Sequence, residues 1–503
     1  MAKQPIYKPK AKPNGKLFPL LGITFFLLIW QILSLIVGNQ ILLPGPLAVV
    51  LALGQLIFKS RFWLGVLYSL LSIASGFIVG TLIAILLGHL AFFFSWTEIL
   101  FSPLIYIFKS APLAALTIIL MIWLKTSVLP FVLILIAIIP PIYYATKSGL
   151  EGASSKLLEM SFVFNMGKYP VYRTIYLPAF IKELLPSLNY TSGLAWKAGI
   201  TGEIMTQPFS RLGTNLYSSK IQLESAEVLA YLAVILLLSL ILNKIISLLC
   251  RSLLQNESEK KQEDLFTFQE DNESADDSIQ PVASTYFKDV AQQSSHRQND
   301  LPEKPNTTNL ITIKNLDKSY EGKKIISDFS CEIALGSINF IMGPSGKGKT
   351  TFFRLLSGLE LPDSGEINFL EKPVFSYAFQ DVRLLENLTL SENLMFTCHH
   401  KLSKSETAEF LKYWESIMID LGLPIDQKIK TYSGGMKQKA SLIRALAHDS
   451  NIIILDEVFR ELDQKSEQQI LQLLNQEKGQ RTVLMASHRQ DLIEQFDGRI
   501  ILL

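Results

Sequence analysis

Four stretches of the N-terminal half carry no charged residue: 17–38, 65–96, 128–146 and 228–243. About 20 apolar residues cross a bilayer as one helix, and a backbone in lipid must satisfy its own hydrogen bonds. This half is therefore expected to fold as a polytopic helical membrane domain. Two weaker spans bring the expected number to about six. One lies in 100–124, interrupted by Lys109 and Pro112, and the other in 181–205, which holds Lys197 and Glu203. Ionisable groups are costly at membrane depth, so Lys197 and Glu203 are expected to face a bundle interior or cavity. They would line a pathway or form a structural ion pair.

Lysine and arginine bias sets the orientation. Lys3, Lys8, Lys10, Lys12 and Lys16 precede the first span, which places the N-terminus in the cytoplasm. No small-residue cleavage site follows that span, so it does not read as a signal peptide. With six spans, the loop carrying Lys147, Lys156, Lys168, Arg173 and Lys182 is also inside, and the second half begins inside at Arg251. The expected outer loops hold fewer cations (Lys59, Arg61, Arg211, Lys220), although the short inner loop near 95–98 has none.

Composition supports two unlike halves. The 503-residue chain is 18% charged, below the ~25% of soluble domains, and its mean hydropathy is +0.28. That average suits neither a soluble enzyme nor a pure channel. A net charge of +2 argues against nucleic acid as a partner, which would need a basic excess. Cys250, Cys331 and Cys398 lie far apart. They offer neither a disulfide framework nor zinc spacing, which fits a reduced, cytosol-facing environment. Cys398-His399-His400 lacks a second ligand pair and reads as a surface segment.

The expected organisation is a membrane domain over 1–250, a polar tether over 251–307 and a soluble domain over 308–503. The tether is too poor in apolar residues to offset its chain entropy. In the last part, short Ile- and Val-rich strands at 310–313, 338–342, 452–455 and 483–486 alternate with helical stretches, the pattern of a buried α/β sheet.

Gly343-Pro344-Ser345-Gly346-Lys347-Gly348-Lys349-Thr350 fits the phosphate-loop pattern, and it sits between an apolar strand and a helical stretch. Its glycines let backbone N–H groups close around phosphate oxygens at a helix N-terminus. Lys349 is expected to reach the β and γ phosphates of ATP, and Thr350 to ligate Mg²⁺. Downstream, the strand 452–455 ends in Asp456 and Glu457. Asp456 would hold Mg²⁺ and Glu457 would polarise the attacking water.

Together with Ser433, Gly434 and Gly435, these motifs resemble an ATP-binding cassette (ABC) ATPase from about residue 309 to the C-terminus. The resemblance implies further roles. Tyr320 matches the aromatic that stacks on adenine, and Gln380 the glutamine that senses Mg²⁺. Ser433-Gly434-Gly435 matches the signature that closes on the nucleotide of a second cassette. Asp463 matches the aspartate after the catalytic glutamate, His488 the switch histidine, and Thr351 flanks the loop. Tyr432, Arg460-Glu461, Lys347 and Thr351 depart from the usual pattern, but none removes a phosphate-, metal- or water-handling group.

Glu159-Met160-Ser161, then Asn165, then Ile175-Tyr176-Leu177-Pro178 resembles the coupling loop of bacterial importer permeases, with Asn165 in a glycine's place. Asn tolerates a left-handed turn, so the helix–turn–helix shape can survive. Leu43-Pro44-Gly45-Pro46, Ser75-Gly76-Phe77, Gly80, Gly88, Pro103, Ala111-Pro112-Leu113-Ala114, Ala195-Trp196 and Glu203 resemble one permease subgroup. That subgroup handles nitrate, sulfonates, taurine and thiamine precursors. The small residues also suit generic helix packing.

The resemblance implies a type I importer-like permease followed by an α/β P-loop ATPase, multi-pass in the plasma membrane with the ATPase in the cytoplasm. One chain supplies half of a transporter. The implied partners are a second copy, an extracytoplasmic solute-binding protein, membrane lipid and a small-molecule substrate. The alternatives are a half-size exporter, which needs longer cytosolic helices, and a non-transporting membrane ATPase.

Overall fold

Charge-free segments become long helices in the computed structural model, which describes residues 17–256, 309–344, 346–397, 404–459, 462–487, 489–496 and 498–503. The expected tether, Cys398-His399-His400, Ser345, Arg460-Glu461 and His488 lie outside the described residues, except that the last N-terminal helix runs on to Asn256. Two compact units result. One comprises Met1–Glu151 with Ile181–Val282, the other Gly152–Phe180 with Ala283–Leu503.

The first unit holds α1 (Leu17–Val37), α2 (Pro46–Ile57), α3 (Ser60–Phe93), α4 (Ser95–Ser110), α5 (Leu113–Leu120) and α6 (Leu129–Glu151). Among the described residues, α3, α6 and Ser225–Cys250 are long and apolar enough to cross a membrane. The span expected in 100–124 is not one straight helix. It breaks between α4 and α5 with a bend of 107°. Pro112 supplies no backbone donor, and it pushes Ala111 into extended geometry (ψ 134°). The short apolar helix α2 was not expected; it begins where Gly45 and Pro46 supply a favourable N-terminus.

Glycines set the contact between α3 and α6. A Cβ at Gly80 would lie 2.7 Å from Ile138 Cδ1, and one at Gly88 would lie 2.6 Å from Thr146 Cβ. Small residues let helix backbones approach closely, which favours the packing that associates helices in lipid.

The chain then passes through the second unit as α7 (Ser155–Val163), α8 (Lys168–Val171) and a π-helical turn, Tyr172–Tyr176. The long helix α9 (Leu177–Thr206) follows, then α10 (Leu212–Ile221) and α11 (Ser225–Asn256). Glu203, near the end of α9, is fully buried. Its Oε2 accepts from Ser69 Oγ at 2.8 Å and from Gly213 N at 3.1 Å, and Arg211 lies 3.5 Å from Oε1. Ser69 Oγ in turn accepts from Leu212 N at 2.9 Å. Glu203 therefore pins the turn ahead of α10. Lys197 does not share that environment; it is exposed. Six residues along an α-helix turn through about 240°, so the two side chains leave α9 on different faces.

The rest of the second unit is a two-sheet α/β fold. β1 (Asn309–Tyr320), β2 (Lys323–Ala334) and β4 (Ser364–Phe369) form an antiparallel sheet in the order β2-β1-β4. β5 (Phe375–Ala378), β6 (Ile452–Asp456), β7 (Thr482–Ala486), β3 (Ile338–Met342) and β8 (Arg499–Leu502) form a parallel sheet in that order. Ile452, Ile453, Ile454 and Leu455 are wholly buried, as strands covered on both faces should be. The flanking helices are α12 (Lys349–Leu356), α13 (Leu390–Thr397), α14 (Lys404–Asp420), α15 (Gly434–Ala447), α16 (Gln464–Glu477) and α17 (Gln490–Phe496).

Candidate functional site

Parallel strands all point the same way, so the segments that leave their C-terminal ends meet at one edge of the sheet. The phosphate-loop sequence leaves β3, Gln380 follows β5, and Asp456 and Glu457 close β6. Within the loop, Gly346 (φ 79°) and Gly348 (φ 97°) are left-handed. At Gly348 a Cβ would also lie 2.7 Å from Ile325 Cγ2. Glycine is required there to bring the chain into the N-terminus of α12.

Lys349 is buried and its ammonium is held inside the loop. It donates to the Gly343 carbonyl at 2.8 Å and to that of Pro344 at 3.4 Å. Glu457 Oε1 lies 3.8 Å from it. Glu457 itself has φ 51°, a costly conformation for a non-glycine residue and one found disproportionately at functional sites.

Thr350, Gln380 and Asp456 line one cavity of about 380 Å³, together with Arg354, Tyr377, Phe379, Asp381 and Arg383. Asp456 is 1% exposed. Its Oδ2 accepts from the Tyr377 hydroxyl at 3.2 Å, while Oδ1 has no hydrogen-bond partner among the described residues. Burial pushes this carboxyl up to about 6, against bonds from Thr350 and Tyr377 that pull it down. A buried carboxylate with an open oxygen, a hydroxyl and an amide oxygen are hard donors that suit Mg²⁺. The residues present thus fit a metal-bound nucleotide.

Tyr320 ends β1 and is paired with Lys323 across a two-residue hairpin, Glu321-Gly322, whose φ values are 48° and 81°. That turn matches the strand twist and leaves the Tyr320 ring 41% exposed. Ser433 caps α15 by accepting from Met436 N at 3.4 Å, so Gly434 and Gly435 open that helix. Asp463 caps α16 through Ser466 N at 3.1 Å and meets Lys439 at 2.8 Å. Neither Ser433, Gly434, Gly435 nor Asp463 lines the cavity. The departure at Tyr432 is absorbed locally: its ring is 5% exposed and its hydroxyl donates to the Pro424 carbonyl.

The segment Gly152–Phe180 is built into this same unit. Met160, Val163, Phe164, Met166 and Ile175 belong to one buried cluster with Phe352, Phe353 and Tyr377. Asn165 turns the chain with φ 48°, and its N–H bonds the Phe162 carbonyl at 2.9 Å. Leu177 and Pro178 follow directly on the π-helical turn. Pro178 has no N–H to continue an α-helical ladder, and a widened turn ahead of it accommodates that gap.

Glu159 is the charged centre of the segment. It accepts from Arg354 Nη1 and Nη2 at 2.9 Å each and from Arg383 Nη1 at 2.6 Å. The Arg354 bonds hold its carboxyl below the usual range; burial opposes them and Arg383 assists. Lys156 meets Asp381 at 2.8 Å. Arg444, fully buried on α15, donates to Met160 Sδ at 2.8 Å and lies 4.7 Å from the Phe164 ring centroid. Sequence reasoning missed Arg354, Arg383, Arg444 and Tyr377. A half-buried acid in the segment demands cationic partners, but nothing local says where they stand.

Comparison with known proteins gives two family models along the chain. Residues 76–255 match the binding-protein-dependent transport system inner membrane component, and residues 326–460 match the ABC transporter model. The phosphonates import ATP-binding protein PhnC of Fusobacterium nucleatum is 30% identical over 220 residues, covering 39% of this chain and 88% of that protein. Spermidine/putrescine import ATP-binding proteins PotA of Spiroplasma citri and Mesoplasma florum are 30% and 31% identical over 209 residues. The match covers 39% of this chain but 59% of each of those two. A solved dimeric ATP-binding cassette in a post-hydrolysis state with ADP and Pi is 26% identical. That match covers 38% of this chain and 94% of the solved one, at a TM-score of 0.35. The chain belongs to the ABC transporters, as an importer-type permease domain fused to an ABC ATPase domain.

Proposed function

We propose that the chain is one half of an ATP-driven importer that works as a homodimer in the plasma membrane, with its N-terminus and ATPase domain in the cytoplasm. A separate extracytoplasmic binding protein delivers a small solute. The observation that carries this reading is the bonding of Glu159 to Arg354 and Arg383. A loop between permease helices is thereby tied to residues that line the same cavity as Thr350, Gln380 and Asp456.

Each group then has a task. The loop glycines, with Pro344, Ser345 and Lys347, shape the phosphate cradle, and Lys349 and Thr351 serve the phosphates. Thr350, Asp456 and Gln380 would hold Mg²⁺, which when bound would neutralise phosphate charge. Glu457 orients water and His488 assists it. Tyr320 stacks on the base. Ser433, Gly434, Gly435 and Asp463 act on the nucleotide of the second copy. Closure of the two cassettes shifts the permease between outward and inward states. Glu159, Asn165, Leu177 and Pro178 shape the loop that transmits the movement.

The solute class follows the permease resemblance: nitrate, a sulfonate such as taurine, or a thiamine precursor. The phosphonate and polyamine relatives are ATP-binding proteins and carry no information on the solute. The test is uptake by proteoliposomes holding the full chain, with a binding protein and each of these solutes outside. ATP-dependent uptake abolished by Glu457→Gln supports the reading. Efflux of lipophilic compounds, or an ATPase indifferent to every solute and binding protein, refutes it.

A further inference from the structure

The Tyr320 side chain and Glu159 in the loop segment are joined by an unbroken run of polar groups. The Tyr320 hydroxyl donates to Glu360 Oε2. Glu360 Oε1 accepts from Arg354 Nε at 2.5 Å. The two terminal nitrogens of Arg354 then meet the two oxygens of Glu159 at 2.9 Å each. One guanidinium is thus divided between two carboxylates, one on the nucleotide side and one in the loop. Its planar fork gives each a fixed direction.

The backbone reinforces this run. Glu360 N bonds the Arg354 carbonyl at 3.2 Å, so Glu360 is fastened to the end of α12. The end of β1 is fastened to the next residues: Lys318 Nζ donates to the Leu361 carbonyl at 2.7 Å, and Ser319 N donates to Asp363 Oδ2 at 2.7 Å. A displacement of the Tyr320 ring therefore reaches Glu360 through both side chain and main chain.

We propose that Tyr320 Oη and Glu360 position Arg354 against Glu159, so that seating a purine base, and not phosphate alone, sets the state of the permease loop. Seating a base on the Tyr320 ring fixes the direction of its hydroxyl. Glu360 follows its donor, and the guanidinium shared with Glu159 follows Glu360. Glu360 and the Tyr320 hydroxyl are positioning groups, since they act through Arg354. The proposal rests on the reading of Tyr320 as the base-stacking residue.

The test is amide hydrogen exchange of the loop segment 155–163 in the full chain in lipid nanodiscs, with Mg²⁺ and saturating ATP or inorganic triphosphate. In the native chain ATP is expected to change loop exchange about tenfold more than triphosphate does. Tyr320→Phe keeps the ring and removes the hydroxyl; Glu360→Gln removes the charge. Both are expected to reduce the ATP effect to the triphosphate level; for Glu360→Gln, whose side chain does not contact the nucleotide in this reading, ATP affinity measured by equilibrium dialysis stays within about threefold. Equal loop responses to ATP and triphosphate in the native chain overturn the proposal, whatever the variants do. So does an undiminished ATP effect in both variants. ATP affinity unaltered by Tyr320→Ala overturns the stacking reading instead, and the proposal with it.

Discussion

Glu159 and Arg354 meet through two parallel bonds of 2.9 Å, a carboxylate seated squarely in a guanidinium fork. They stand 195 residues apart in sequence, one between two membrane helices and the other on the helix that begins with Lys349. An exposed ion pair contributes little to stability. This one is held on a third side by Arg383 at 2.6 Å and is partly buried, so its geometry is well defined.

Removing the charge should uncouple the loop from the nucleotide site. Glu159→Gln keeps the shape but weakens both arginine contacts, and transport per ATP hydrolysed should fall about tenfold. ATP affinity should change less than twofold, because Glu159 does not line the cavity. Arg354→Lys should lower transport per ATP similarly, since an ammonium cannot form the two-point contact, but because Arg354 lines the cavity its ATP affinity is not expected to be spared. Uptake and ATPase rates measured on the same proteoliposomes check this, and full uptake by Glu159→Gln would sink it.

Acid should release the same contact. Arg354 and Arg383 hold the Glu159 carboxyl below its usual value of 4.5, so the pair's full contribution is present once pH is well above that value, where the unfolded carboxyl is ionised. The contribution is lost as pH falls through the lowered folded value. Limited proteolysis of 152–180 should therefore be flat from pH 8 to about pH 5 and rise only below that. A marked rise between pH 7 and pH 6 would contradict the assignment.

What could be read in advance was what depends on local backbone. Gly346 and Gly348 adopt positive φ, as a phosphate loop requires, and Asn165 does so where the importer pattern has glycine. Asp456 ends, and Glu457 follows, a strand whose burial its apolar run announces. Partners distant in sequence were not legible. Arg354, Arg383 and Arg444 look like ordinary surface cations until Glu159, Met160 and Phe164 are folded onto them. Helical phase also misled: Lys197 and Glu203 share a segment but not a face. The break at Pro112 had its signal in the sequence, but the size of its bend, 107°, did not.

The α3–α6 contact should tolerate no side chain at Gly88. An added Cβ would sit 2.6 Å from Thr146 Cβ and 3.2 Å from the Tyr143 carbonyl. Gly88→Ala should destabilise the membrane unit by about 1–3 kcal/mol, seen as a lower aggregation temperature in detergent. Thr146→Gly removes the nearest atom and should restore part of the loss in the double variant. Gly88→Ala as stable as the native chain would show that the helices can separate without cost.

Asp456 should set stability against activity. Its carboxyl is raised from 3.8 to about 6 by burial, so the fold retains a proton that the unfolded chain gives up earlier. The resulting stabilisation is complete below about pH 3.8 and lost as pH rises through 6. At neutral pH the buried charge is then a cost of up to about 3 kcal/mol. Asp456→Asn keeps an acceptor for the Tyr377 hydroxyl and removes that charge. Without nucleotide or Mg²⁺, its cassette should melt roughly 5 °C higher at pH 7.5, and the gain should disappear near pH 4. Hydrolysis should fall about 100-fold or more, because the charge that Asp456 would offer to Mg²⁺ is gone. Calorimetry at the two pH values, paired with phosphate release, checks both halves. A melting gain of the same size at pH 4 would show that something other than the buried charge was removed.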